Sequence, residues 1–317
     1  MRPWYLALLL LLTSACHAAA PVQQSDLTAT ELRFVTANAE FTLLHEMGHL
    51  LINELQLPVL GREEDAADQL GFVGLFLLQG KQRDANFYAK LLDVADYWRL
   101  EWRLPKAPEE KVYSWDSHGL DAQRFYNIAC LAYGSDPENL EWIITATGLP
   151  DERAFYCPQE YQQVQHAVDW LAQHFRRPVG APPGQRIQVL YDEPPRQLEH
   201  GADMLAKVRA SGELEAVANK ASDTFALPRP LTLRLTTCGS PDAWYNTQSG
   251  ELTLCYERLE HFRQLAAQLP KVRPAQTPRD LREQRLATIL RSGSCAATVQ
   301  DDEVERVMRM GCCAAAR

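Results

Sequence analysis

Apolar residues recur at intervals of three and four through residues 28–175, a spacing that predicts a succession of helices. The first carries the run Phe41-Thr42-Leu43-Leu44-His45-Glu46-Met47-Gly48-His49-Leu50-Leu51-Ile52 and extends to about residue 56, where Leu57-Pro58-Val59-Leu60-Gly61 breaks it. Further helices are expected over 62–79, 84–102, 120–133, 139–147 and 158–175, with Pro105-Lys106-Ala107-Pro108 and Gly134-Ser135-Asp136-Pro137 as loops. The pattern changes across Phe175-Arg176-Arg177-Pro178 and Pro182-Pro183-Gly184. Beyond it, strands are expected over 186–191, 231–237, 243–246 and 251–256, the last two as a hairpin across Gln248-Ser249-Gly250. Helices over 198–210, 212–225 and 257–268 complete this part. The pattern as a whole predicts an α+β protein, mainly helical with a small antiparallel sheet or hairpin. A helical core over 25–177 would carry an α+β segment over 185–270, and a polar linker and tail would occupy 271–317. Internal repeats and low-complexity tracts are not evident.

The chain of 317 residues is 46% hydrophobic and 23% charged, enough to bury a substantial core as one large domain or two small ones. Its net charge of −9, with no basic stripe and no aromatic–basic interleaving, argues against a nucleic-acid partner. Residues 1–20 read as a signal peptide, with Arg2 ahead of an apolar run that is too short to span a bilayer. The expected location is therefore periplasmic or secreted. Two processing routes stay open. Leu12-Thr13-Ser14-Ala15-Cys16 fits a permissive lipobox, after which a lipid on Cys16 would attach the protein to a membrane; Ala18-Ala19-Ala20 offers ordinary cleavage, against which Pro21 counts.

Eight cysteines in an exported chain predict disulfides. Cys130 and Cys157 flank a helical hairpin, and Cys238 and Cys255 flank the strand pair, so these are the preferred pairings. Cys295, Cys312 and Cys313 show no evident scheme, and sequence alone does not fix connectivity. A cysteine metal site is the weaker alternative, since no Cys-x-x-Cys occurs.

The candidate chemistry lies in the first helix. Residues four apart share a helix face, so His45 and His49 can bind one metal ion, with Glu46 beside it to take a proton from water. Zinc with an open position suits this arrangement, because it lowers the pKa of a bound water to roughly 7. A third ligand is needed, and Glu64 on the next helix is the first choice, with Glu63 and Asp65 as alternatives. The acidic first turn of that helix would in any case suit its dipole. Asp68, one turn after Glu64, would hold the second ring nitrogen of a ligand histidine. Farther along, Asp116-Ser117-His118 precedes a helix with Arg124 and Tyr126. His118, then Tyr126, are candidate donors to an oxyanion, although a loop histidine and a helix-face tyrosine more often cap or pack. Gly48 in mid-helix suggests a close approach of another element.

His45-Glu46-x-x-His49 followed by Glu64-x-x-Ala67-Asp68 resembles the gluzincin pattern of the CAAX-processing and heat-shock-type membrane metallopeptidases. The longer run through Asp68, then 116–127 and on to Cys157-Pro158, more closely resembles an exported bacterial family of metallopeptidases of unknown function. The resemblance implies a zincin-like fold, Zn2+ and a peptide or protein substrate. Residues 238–257 also look like that family, where they resemble the edge strand lining a gluzincin cleft. That element ordinarily precedes the zinc helix and here follows it, as in a permuted chain or a fusion of two halves; a disulfide-closed hairpin that only packs is a further reading. Two alternatives to a peptidase remain. One is a catalytically silent zinc-fold binding or scaffold protein of the cell envelope, against which the intact Glu46 counts; the other is a zinc amidase acting on cell-wall material. No oligomeric state follows from the sequence.

Overall fold

The computed structural model describes residues 27–80, 83–105, 115–181 and 185–273. The expected signal peptide, Cys16, and the tail with Cys295, Cys312 and Cys313 lie outside the described residues. Ten helices occur among the described residues: α1 (Ala29–Glu54), α2 (Glu63–Gln79), α3 (Ala85–Arg103), α4 (Asp121–Gly134), α5 (Trp142–Thr147), α6 (Asp151–Ala154), α7 (Cys157–Phe175), α8 (Gly201–Ser211), α9 (Glu213–Thr224) and α10 (Tyr256–Ala266). Four strands accompany them: β1 (Ile187–Tyr191), β2 (Leu231–Thr236), β3 (Ala243–Asn246) and β4 (Glu251–Cys255). The short α6 has no counterpart in the periodicity, being a single turn. The helix expected over 198–210 starts three residues late, at Gly201, after Pro194 and Pro195.

Helix α1 is the centre of the molecule. Its start is fixed by Thr28, whose N–H donates to Glu31 Oε2 at 2.8 Å while Glu31 N–H donates to Thr28 Oγ1 at 3.3 Å. Apolar residues cover most of its circumference, and it packs on α2, α3, α9, α10, β3 and β4. Phe34, Leu50, Leu91, Phe125, Leu233, Leu252 and Phe262 belong to one continuous buried core, so the sheet shares its interior with the helices around α1.

The sheet order is β1-β2-β4-β3. The expected antiparallel hairpin is present as β3 and β4, but it forms one edge of a mixed sheet, since β1 pairs with β2 and β2 with β4 in parallel. Helices α8 and α9 form the crossover that parallel β1 and β2 require. Both preferred disulfides, Cys130–Cys157 and Cys238–Cys255, are present. No helix among the described residues is long and apolar enough to cross a membrane.

Glu213, at the start of α9, faces Glu40 of α1. Burial first, and then the Glu40 charge, push its carboxyl up to about 7. A carboxyl raised in the folded state costs stability once it ionises. That cost is absent below its unfolded value near 4.5, grows as pH rises, and is complete above about 7. Glu213→Gln should therefore leave thermal stability almost unchanged at pH 4.5 and raise it by roughly 2–3 kcal/mol at pH 8. Equal melting shifts at the two pH values would contradict this origin.

Candidate metal centre

The crossing of α1 and α2 brings the site together, and small residues set its closeness. A Cβ on Gly48 would lie 3.0 Å from the Ala67 Cα, and one on Gly71 would lie 3.0 Å from the His45 backbone nitrogen. The close approach expected at Gly48 is thus made by α2, and it places Glu63, Glu64 and Asp68 beside the α1 histidines.

His45 and His49 approach with their Nε2 atoms 3.2 Å apart, and Glu64 Oε2 lies 3.3 Å from each. The other ring nitrogens are tied to carboxylates. His45 Nδ1 is 2.8 Å from Asp68 Oδ1, and His49 Nδ1 is 2.7 Å from Glu63 Oε1. With each Nδ1–H donating to its carboxylate, both Nε2 atoms present lone pairs to the centre. Glu64 Oε2 presents another, and it is buried without a hydrogen bond. Lone pairs gathered this closely repel one another unless a cation lies among them. For metal–ligand bonds of about 2.0–2.1 Å, tetrahedral geometry separates neighbouring ligand atoms by about 3.3 Å. The observed triangle of 3.2, 3.3 and 3.3 Å matches that edge, so His45, His49 and Glu64 fit a tetrahedral metal ion.

Protons alone respond to the same field. Burial works against a charged His45, but Asp68 and Glu64 outweigh it and raise its pKa. Burial likewise opposes charge on His49, and Glu64 and Glu63 outweigh it to hold that imidazole at about 9. Burial favours a neutral Glu64, yet the neighbouring His118, His45 and His49 keep its carboxyl far below the usual range. Glu46, also buried, moves the other way: desolvation raises its pKa despite both histidines.

Asp68 serves more than His45. Arg124 of α4 grips it with Nε–Oδ2 at 2.8 Å and Nη2–Oδ1 at 2.5 Å, and the guanidinium stacks 3.5 Å above the Trp98 ring centre. Trp98, Arg124, Asp68 and His45 thus form a connected support for one imidazole. Glu63, an alternative ligand from the sequence, instead buttresses His49, and Asp65 pairs outward with Arg62 at 2.8 Å.

A cleft of about 590 Å³ opens over the centre and is lined by His45, Glu46, His49, Glu64 and His118. Its far wall is the edge strand, with Ala243, Trp244 and Tyr245, joined by Tyr97 of α3 and Arg258 of α10. The element that follows the histidine helix in sequence therefore stands beside it in space. A clamp fixes the pair: Tyr245 Oη donates to Glu54 Oε1 at 2.5 Å, and Arg229 Nη2 reaches Glu54 Oε1 at 2.7 Å and the Thr247 carbonyl at 2.6 Å.

His118 enters the site, with Nε2 3.0 Å from Glu64 Oε2. Tyr126 is not among the residues that line the cleft. Two helical positions rotate the side chain by about 200°, so with Arg124 facing Asp68, Tyr126 turns towards Trp102, Phe125 and the region of the Cys130–Cys157 disulfide. Tyr97, Trp98, Tyr245 and Arg258 were not singled out from sequence, because each comes from an element distant from His45. The sequence signal was Arg124, an arginine beside apolar Phe125 and Ile128 on one helix, and the fold buries it to 8% exposure.

A family model described as "putative metallopeptidase" (DUF4344) matches residues 11–172 and 192–292. No curated protein and no solved structure matches the chain.

Proposed function

The chain belongs to the putative metallopeptidase family, and we propose that it is a zinc-dependent peptidase in which His45, His49 and Glu64 hold the metal and Glu46 moves the proton. The family implies a metal. The observation that carries the ligand assignment is the triangle of two Nε2 atoms and one buried, hydrogen-bond-free carboxylate oxygen, with both Nδ1 atoms held by carboxylates. When bound, zinc supplies a Lewis acid that brings the pKa of water to about 7.

The remaining work falls to side chains of this protein. Glu46 lies in the cleft wall next to His45, and burial raises its carboxyl pKa above the usual carboxylate value despite the neighbouring histidines. It accepts the proton of the attacking water and passes it to the departing amine nitrogen as the amide C–N bond breaks. Asp68 and Glu63 keep the imidazoles oriented, and Arg124 keeps Asp68 in place. The edge strand β3 suits an extended peptide, whose main chain could pair with it across the cleft.

Metal analysis combined with peptide-library cleavage tests this reading. One zinc per chain is expected, with cleavage lost on chelation and restored by added zinc. Full zinc loading without cleavage of any peptide would overturn it in favour of a binding role, and cleavage confined to cell-wall amides would redirect it to an amidase.

A further inference from the structure

We propose that Arg258 anchors a carboxylate of the substrate, so that the peptide cut at this centre carries a negative charge close to the scissile bond, supplied by its C-terminus or by an acidic side chain. The proposal rests on the reading of the cleft as the place of hydrolysis. Arg258 lies in the first turn of α10 and lines the same cleft as His45, Glu46, His49 and Glu64. Its charge is felt at that centre: burial raises the Glu46 carboxyl, and Arg258, together with both histidines, opposes the rise.

Three arginines line the cleft among the described residues, and two of them are already neutralised. Arg62 pairs with Asp65 at 2.8 Å, and Arg124 holds both oxygens of Asp68. Arg258 has no carboxylate at hydrogen-bonding distance among the described residues. Asp242 Oδ1 is 4.0 Å from its Nη2, and that oxygen already accepts the Ala243 N–H at 2.9 Å. Arg258 Nη1 donates to Tyr97 Oη at 2.9 Å, and its Nε is buried without a partner. Burial pushes the Tyr97 hydroxyl up to about 12, so this partner is neutral and leaves the guanidinium charge uncompensated. A guanidinium that has given up water without gaining an acceptor is destabilising by itself. A carboxylate entering the cleft supplies what is missing, and the planar fork of arginine suits its two oxygens.

The anchor is held in place yet open to the cleft. Phe262 of α10 packs edge-on against Tyr97 at 5.1 Å, which fixes the hydroxyl that Arg258 uses. The Arg258 side chain itself stays 23% exposed. Asp242 immediately precedes β3, so its 4.0 Å approach puts the Arg258 head at the Ala243 end of the edge strand. A peptide paired with β3 would therefore meet Arg258 at one end of the strand, a geometry that suits a chain terminus as well as a side chain.

Peptide binding to the zinc-loaded full chain carrying Glu46→Gln, measured by calorimetry, tests the anchor apart from turnover. The probes are acetylated pentapeptides of alanine and phenylalanine. One has a free C-terminal carboxylate and one is its amide; the others are amidated and carry a single glutamate or glutamine at each position in turn. A carboxylate at the C-terminus or at one side-chain position should tighten binding about tenfold or more over its neutral counterpart. Adding Arg258→Ala should remove that difference, and Arg258→Lys should keep part of it. A merely structural role would instead weaken charged and neutral peptides alike, and that result would overturn the proposal. So would absence of binding, equal binding of every charged and neutral pair, or a preference for charge that survives Arg258→Ala, as for a carboxylate bound to the metal itself. If the wild type cleaves peptides without any such preference, the anchor falls and the peptidase reading stands. If the preference depends on Arg258 but the wild type cleaves none of the peptides, the anchor stands and the peptidase reading falls.

Discussion

Replacing Glu46 by glutamine is expected to lower peptide cleavage by about 10²–10⁴-fold while leaving one zinc per chain. The side chain lies in the cleft beside two ligand positions, but its own carboxylate is not among the converging atoms at His45, His49 and Glu64. Glutamine keeps its length and volume and loses the ability to accept a proton. The metal ligands and their carboxylate supports are untouched, so zinc content should not change. Stability should not fall either. Burial raises the Glu46 pKa, which means that its ionised form is disfavoured in the folded protein, and a neutral amide removes that cost. Cleavage kinetics, zinc content and melting temperature measured on the same preparation separate the possibilities. Retained activity would show that another group moves the proton. Lost zinc would show that Glu46 holds the metal.

The largest effect on stability is expected at Asp93, in the buried ion network that joins α1, α3 and the segment after α10. Asp93 is fully buried; Arg33 Nε reaches its Oδ2 at 2.7 Å, and Arg273 bonds to its other oxygen. Arg273 also pairs with Asp96 at 2.5 Å, and Asp96 with Arg99. Asn38 Nδ2 closes the cluster by donating to the Asp93 carbonyl at 3.1 Å. Desolvation raises the Asp93 pKa although Arg273 and Arg33 oppose it, a sign of how far the group is removed from water. Asp93→Ala would remove the carboxylate that Arg33 and Arg273 share, leaving Arg273 with Asp96, which already pairs with Arg99. Breaking such a pair from one side costs about 3–5 kcal/mol, which for a chain of this size corresponds to a melting shift of roughly 5–8 °C. Denaturant unfolding would measure it. A loss under about 1 kcal/mol would place the network in the class of solvent-screened surface pairs.

The two effects also show which features of the site were legible in the sequence. His45, Glu46 and His49 could be placed because helical periodicity fixes which residues share a face. Glu64 and Asp68 could be paired for the same reason, one helix later. The position of Glu63 could not be read this way. Whether it or Glu64 points between the histidines depends on the angle and depth at which α2 crosses α1, and those are set by Gly48, Ala67 and Gly71 in three dimensions. Arg124 and Tyr126 illustrate a different limit. Both lie on α4, but only the docking of α4 decides which of two faces turned by about 200° meets the cleft.

The strands were legible as short apolar stretches, and their pairing was not. The β3–β4 hairpin is local, joined by four residues, so turn residues announce it. The parallel alignment of β1 with β2 depends on α8 and α9 folding across the sheet, a long-range consequence that no window of sequence contains. The edge strand makes the same point for function. It lies far from the histidine helix in sequence, yet Tyr245 and Arg229 both bind Glu54 at the end of α1. Adjacency in the cleft comes from these contacts and not from chain order.

The most direct test of the metal assignment is a crystal of the zinc-loaded protein with diffraction recorded on both sides of the zinc absorption edge. A single anomalous peak is expected among His45 Nε2, His49 Nε2 and Glu64 Oε2, about 2.0–2.2 Å from each. A zinc-loaded crystal with no peak at that position, or with its zinc bound elsewhere, would contradict the account.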